Sequence, residues 1–329
     1  MRVLVVDVDS LRPDHLGAYG YARDTSPTVD ALAARGLRFD RCYVSDSPCL
    51  PSRTALATCR HGVKSGVVTH WGAGQFYDHP GNGHDAGGPR ITSFRQLWEH
   101  GVRTATVSSF SANHLASHFA GSFQEAIQAS PRTGGLDDGA DVVREAESWL
   151  DRHAAADDWL LHVNFWDVHH PYRDVDEAVE RVRESGPGPA WPDEETIEAH
   201  GAATGSRTAS LWPIPNEYGT DEFEDGYWRV EDYWPMPVSV DDRADLDGIV
   251  DAYDASIRKV DAWVGRLLAA LEDAGVREET AVVVTADHGE AFGEQGIYAD
   301  HAMAHRASQR VPLVVDWPGG PEGRVRSEE

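Results

Sequence analysis

The chain has 329 residues, 41% of them hydrophobic, which supports a large buried core in one α/β domain with insertions or in two smaller domains and argues against disorder. Its formal charge is -26, with Lys64 and Lys259 the only lysines among 29 basic residues. A field of that sign repels nucleic-acid phosphates and anionic membranes, and an anionic substrate can approach only where arginine, histidine or a metal reverses it locally.

Taken in chain order, the opening run MRVLVVDVDS reads as a strand over 2–9. It carries two aspartates and is too short for a signal peptide or a membrane span, so a cytoplasmic protein is expected. Asp7 and Asp9, two apart on an extended strand, point the same way. Two carboxylates forced together at the end of a buried strand repel unless a cation or a proton lies between them. A hard divalent metal answers that need, while a pair of turn or capping aspartates would avoid it. The pattern TVDALAARG predicts a helix over 28–36.

In SPCLPSRTALATC (47–59), Pro51 fits the first turn of a helix, where its missing N–H would have had no partner. The helix start would aim free N–H groups and a positive dipole end at residue 49, with Arg53 one turn along on the same face. Cys49 is then either a small buried hydrophobe beside a surface arginine or a thiolate nucleophile. With Cys42 and Cys59 it makes neither a disulfide framework nor a four-ligand zinc cluster, in keeping with a reducing compartment.

Residues 70–90, rich in glycine and histidine, are too long for an ordinary connection and read as an active-site loop. A helix over 92–101, a strand over 103–110, a helix over 139–154 and a strand over 159–166 follow. From 171 to about 245 the chain is charged and carries many prolines and tryptophans, which predicts an insertion over the site; the plainer reading is an irregular surface excursion. A long amphipathic helix over 248–273, ended by Gly275, leads to a strand over 280–287. In TADHGE, Asp287 and His288 fall where that strand stops and Gly289 permits a sharp turn.

Continuous apolar strands alternating with helices predict an α/β fold with a mostly parallel central sheet flanked by helices. In open sheets of that kind the ligand site lies beyond the carboxyl ends of the strands. That placement collects Asp7, Asp9, Asp167, His169, Asp287 and His288. Aspartate oxygens suit calcium or magnesium, and a histidine nitrogen lets manganese or zinc compete.

Four segments carry a family resemblance. CLPSR (49–53) matches the Cys-x-Pro-Ser-Arg signature of the type I sulfatases, in which the cysteine is converted to formylglycine. DVDSLRPDHLGAYGYARDTSPTVDALAARG (7–36) resembles that family's metal-binding first strand, NFWDVHHPYR (164–173) its strand end with a catalytic histidine, and residues 286–319 its second metal segment. The resemblance runs in family order over nearly the whole chain, 1–329, apart from the insertion, and implies an alkaline phosphatase-like fold. The family commonly continues into a smaller C-terminal region, which this chain, ending GRVRSEE, would lack or carry truncated.

The resemblance implies a sulfatase that uses formylglycine at position 49 and one divalent metal, calcium foremost with manganese or magnesium as alternatives. Asp9, Asp287 and His288 would be ligands, with Asp7 a fourth and residue 49 facing the metal. Arg53 would orient the nucleophile, His301 would protonate the leaving alcohol, His114 would act as base, and His169 would contact the transferred group. Ala112 stands where the family's Lys-x-His pair has its lysine. His288, in place of the frequent asparagine, resembles the phosphonate and phosphate monoester hydrolase branch. His70, His79, His84 and His305 are further candidates for charge near the site. The partners implied are a small sulfated substrate, a sugar or aryl sulfate, and a formylglycine-generating enzyme, with no nucleic acid and no membrane. A phosphate or phosphonate ester hydrolase and a silent metal- or carbohydrate-binding module are the competing functions. The acidic, lysine-poor composition is compatible with halophilic life.

Overall fold

The apolar runs at 2–9, 103–110, 159–166 and 280–287 form the middle of one sheet in a computed structural model, which describes residues 1–70, 72–75, 92–130, 138–206, 208, 223–224, 227–228 and 236–325. Its strands are β1 (Arg2–Val8), β2 (Leu37–Phe39), β3 (Arg103–Val107), β4 (Glu125–Ile127), β5 (Trp159–Phe165), β6 (Thr280–Thr285), β7 (Leu313–Asp316) and β8 (Gly323–Val325). Their order is β8-β2-β7-β6-β1-β5-β3-β4. The five from β6 to β4 are mutually parallel, and β7 runs antiparallel to both neighbours. This is the mostly parallel α/β sheet that the sequence implies.

β1 lies between β6 and β5, with Asp7 opposite Thr285 on one side and Asn164 on the other. Alternation along β1 decides what each face carries. Leu4, Val6 and Val8 enter the larger core, which also holds Trp149, Trp159 and Val264. Val3 and Val5 pack on a smaller core built from Leu50, Ala57, Phe94, Phe110 and Phe119. Asp7 and Asp9 continue the parity of Val3 and Val5, so the second face carries the carboxylates.

Over the larger core lie α1 (Pro27–Arg35), α4 (Gly139–His153), α5 (Asp176–Ser185) and α7 (Arg243–Asp273), with α5 and α4 both against α7. Over the smaller core lie α2 (Cys49–Thr58) and α3 (Ser93–Glu99). α7 starts five residues before its hydrophobic periodicity, because the Asp242 side chain caps it by accepting the N–H of Asp245. β3 stops at Val107 because residues 110–113 turn helical.

Within 171–245, α5 buries Val179 and Val182 in the main core, and α6 (Glu194–Thr204) brings His200 within 2.8 Å of the Tyr298 hydroxyl. Trp191 is half exposed, while Trp212, Trp234, His79 and His84 lie outside the described residues, as does most of the 70–90 segment. No described helix is long and apolar enough to cross a membrane.

Candidate active site

The carboxyl ends of β1 and β6 meet the start of α2, and Arg53 ties them together. Its Nε donates to Asp7 Oδ2 at 2.7 Å and its Nη1 to Asp9 Oδ2 at 2.8 Å, while Nη1 also lies 2.7 Å from Asp287 Oδ2. The guanidinium sits over the rings of Phe110 and Trp166, 4.9 Å and 5.5 Å from their centroids. Arg53 is fully buried, which removes the surface-arginine reading of the sequence.

One guanidinium does not balance three buried carboxylates. Burial opposes ionisation of all three, yet Arg53 with His162 holds Asp7 below its usual range, and Arg53 with His288 does the same for Asp9. Asp287 is pushed well above its usual value by burial, with Asp9 and Asp7 adding to it against Arg53. The arrangement is short of positive charge.

The donor set beside it answers that shortage. One ligand atom each from Asp9, Cys49, Asp287 and His288 lie within 4.8 Å of one another. His288 Nδ1 faces its neighbour Gly289 O at 2.9 Å, which leaves Nε2 as the lone-pair nitrogen. That Nε2 stands 3.3 Å from Asp287 Oδ2, 3.6 Å from Asp9 Oδ1 and 3.1 Å from Cys49 Sγ. Two carboxylates, an imidazole nitrogen and residue 49 converging on one buried point fit a divalent cation. Asp7 adjoins this group: its Oδ2 meets Arg53 and, at 3.3 Å, His162 Nε2, while its Oδ1 is buried and has no hydrogen-bond partner among the described residues.

Cys49 is the first residue of α2, with Pro51 in the first turn, as the spacing predicts. It is 1% exposed, and burial together with the charges of Asp9 and Asp287 raises its thiol well above the ordinary value despite Arg53. An unmodified thiol here resists becoming a thiolate in neutral solution.

Histidines surround residue 49. A nitrogen each from His70 and His114 lies within 4.8 Å of its sulfur and of each other, as does one each from His169 and His301. His70 Nε2 accepts the Leu50 N–H at 3.1 Å, and burial with neighbouring His114 lowers it to about 2. His114 stacks on Trp166 and its buried Nε2 has no hydrogen-bond partner among the described residues; burial, then Arg53, lowers it to about 4. His169 is pushed well below its ordinary value by burial, then by His170. His301 stacks on His288, ring centroids 4.2 Å apart. Burial pushes His301 down, but Glu290 outweighs it and raises the ring to about 9.

Two sequence candidates stand elsewhere. Asp167 faces the start of α4, where its Oδ1 accepts the Gly139 N–H at 3.4 Å and lies 3.9 Å from Lys259 Nζ. His305 caps the turn 306–309 by accepting the Ala307 N–H.

Several residues of the site escaped the sequence reading. Ser10 donates its N–H to Asp287 Oδ1 and its hydroxyl to Asp9 Oδ1. Ser52 Oγ donates to the Asp287 carbonyl at 2.6 Å, and Asn164 Nδ2 to the Asp7 carbonyl at 3.1 Å. His162 and Asn164 had a signal, being polar residues two apart in an otherwise apolar strand, the same pattern that exposed Asp7 and Asp9.

A family model described as sulfatase matches residues 2–329. Iduronate 2-sulfatase of Homo sapiens is 25% identical over 362 residues, covering 97% of this chain and 60% of that protein. Arylsulfatase A of Bos taurus is 46% identical over 65 residues, 20% of this chain and 13% of that protein. A structure solved in complex with its substrate D-glucosamine-2-N,6-O-disulfate superposes with a TM-score of 0.73 and 19% identity, over 99% of this chain and 73% of that one. The phosphonate monoester hydrolase of Agrobacterium radiobacter gives 0.65 and 20%, over 99% and 70%. At such identities the structural likeness speaks for the fold alone. The chain spans 60% of the length of the iduronate 2-sulfatases it matches almost end to end. The family match over residues 2–329, together with a buried cysteine at a helix start among carboxylates and histidines, shows that this chain belongs to the sulfatase family.

Proposed function

We propose that the chain hydrolyses a sulfate monoester to an alcohol and sulfate, with residue 49 acting as formylglycine derived from Cys49. The observation that supports this best is the convergence of Asp9, Asp287 and His288 on residue 49. These four would hold one divalent ion, calcium foremost and manganese or magnesium next, which would neutralise sulfo oxygens as the ester bond breaks. Formylglycine would supply, as its hydrate, one hydroxyl to attack sulfur and a second to release the product.

The chain's own groups have distinct tasks. Arg53, fixed by Asp7 and Asp9, stands one helical turn from residue 49 and orients it. His301, protonated below about pH 9, gives a proton to the departing alcohol oxygen. His114, neutral above about pH 4 and with Nε2 unpartnered among the described residues, takes the proton that product release sheds. His169 contacts the transferred group. A small sulfated sugar or aryl sulfate is the substrate class, and an enzyme that oxidises Cys49 is the required partner. The three cysteines are free of disulfides, which suits a reducing cytoplasm.

The raised thiol of Cys49 favours formylglycine over a thiolate, because the free thiol would be largely protonated and a sulfated thiol has no comparable exit. A phosphate or phosphonate ester hydrolase is the second reading, favoured by His288 in the metal segment. Turnover of matched aryl sulfate, phosphate and phosphonate esters, after carbonyl labelling has confirmed the aldehyde at residue 49, tests the choice. The Cys49→Ser variant should take up one equivalent of sulfate and stall. Sustained turnover by that variant would overturn the formylglycine mechanism.

A further inference from the structure

Positive charge also gathers where the proposed reaction has no use for it. A cleft of about 220 Å³ is lined by Arg12, Arg306 and Arg310 together with Asp14, Glu294 and His305. Three guanidiniums meet two carboxylates there, and Arg12 engages both acids. Its Nε and Nη2 donate to Asp14 at 3.0 Å and 2.8 Å, and its Nη1 lies 2.9 Å from Glu294 Oε1. Arg306 and Arg310 are left over.

Neither of them has an acid of its own among the described residues. Arg306 is exposed and makes no hydrogen bond or ion pair there. Arg310 donates through Nη2 to the Asp40 carbonyl at 3.0 Å, a neutral acceptor, and its Nε is buried with no hydrogen-bond partner among the described residues. A buried N–H without an acceptor is costly, and a charged oxygen is the acceptor that a guanidinium binds best. His305 adds a donor. Its Nδ1 accepts the Ala307 N–H at 3.3 Å, so the neutral ring carries its proton on Nε2. In a chain with a formal charge of -26, two uncompensated arginines on one cleft reverse the sign of the field locally.

We propose that this cleft is an accessory oxyanion site that takes a sulfate group, free or carried on a sugar, between Arg306 and Arg310 with His305 as a further donor. The cleft backs onto the metal segment, where Arg12 Nη1 donates to the Glu290 carbonyl at 2.8 Å, but none of its lining side chains belongs to the cluster around residue 49. The site therefore needs no chemistry at residue 49, and it stands or falls apart from the proposed reaction.

Sodium sulfate titrated calorimetrically into the full chain at low ionic strength is the probe. Arg306→Ala should weaken one bound sulfate about tenfold, the worth of one charge-assisted hydrogen bond, and Arg306→Glu should remove that ion from the count. Asp14→Asn should do the reverse and tighten it, because the cleft then holds one carboxylate fewer and Arg12 is freer to turn toward the anion; a variant damaged in folding would not bind more tightly. Glucose 6-sulfate separates the two sources, since displacement of the ion by the ester marks a carried sulfate group and failure to displace it marks the free ion. A wild-type chain that binds no sulfate, an Arg306→Glu variant that binds as much and as tightly as the wild type, or an Asp14→Asn variant that binds no more tightly would overturn the proposal.

Discussion

At the scale of single residues, the site depends on side chains that brace its carboxylates from behind. The Tyr253 hydroxyl donates to the Ser10 carbonyl and accepts the Arg12 N–H, each at 2.8 Å. This clamp holds Ser10 at φ 60, a left-handed conformation that a serine adopts only when its surroundings enforce it. In that conformation Ser10 bonds both Asp9 and Asp287. Tyr253→Phe should therefore weaken divalent-metal affinity about tenfold or more, read by calorimetric titration, while the unfolding transition stays cooperative. Arg53→Ala should destabilise the metal-free protein by about 3–5 kcal/mol in denaturant titrations, because it leaves three buried carboxylates without their cation. A saturating divalent ion should recover part of that loss. Asp167 offers a pH test. Burial raises it to about 7 in spite of Lys259. A raised carboxyl stabilises the fold while protonated, so its contribution is complete below its ordinary value near 4, falls as pH rises, and is gone above about 7. Asp167→Asn should flatten stability against pH over that interval and leave the variant more stable than the wild type at pH 8.

At the scale of elements, the four central strands were readable because both of their faces are buried, which writes them as unbroken apolar runs bounded by polar residues. The same runs revealed the carboxylates of β1, where two charged side chains break the apolar text at positions of equal parity. What they could not reveal is the partner of each. Parity places Asp7 beside Asp9, but not the cation that both meet: α2 supplies it as the buried Arg53, which bonds Asp7 and Asp9 alike. His162 and Asn164 repeat that parity on β5 and went unread because neither is a carboxylate, the signal that marked β1. Glu290 and His170 were hidden for another reason: they flank residues already chosen, and only the packing of the 289–301 segment against residues 169 and 170 brings them together. Helix α7 shows how much one element can carry. It buries Leu246, Ile249, Val260, Val264 and Leu267 against the sheet layer while also supplying Tyr253. Leu267→Ala should cost about 2–5 kcal/mol by opening a cavity in the main core, measured by denaturant unfolding, without changing the metal count.

At the scale of the molecule, a charge of -26 spread over 329 residues repels itself, and salt shortens the reach of that repulsion from about 10 Å at 0.1 M to about 3 Å at 1 M. If the acidic composition is an adaptation to salt, the unfolding temperature should climb between low and molar potassium chloride. A flat or falling profile would leave the composition as a bias of lineage. The burial of Cys49 has a consequence in time. Its sulfur is covered by His288, 239 residues later in the chain, and Ser52 is bonded to the backbone of Asp287. At about 5–20 residues per second, a ribosome needs roughly 10–50 s to pass from one to the other. During that interval the cysteine has left the ribosome's reach while its lid does not yet exist, and once β6 has settled beside β1 the lid is shut. Under the formylglycine reading, an enzyme that oxidises Cys49 would be in a race with the synthesis of the 239 residues that separate it from His288, and each molecule it missed would fold around an unreacted thiol.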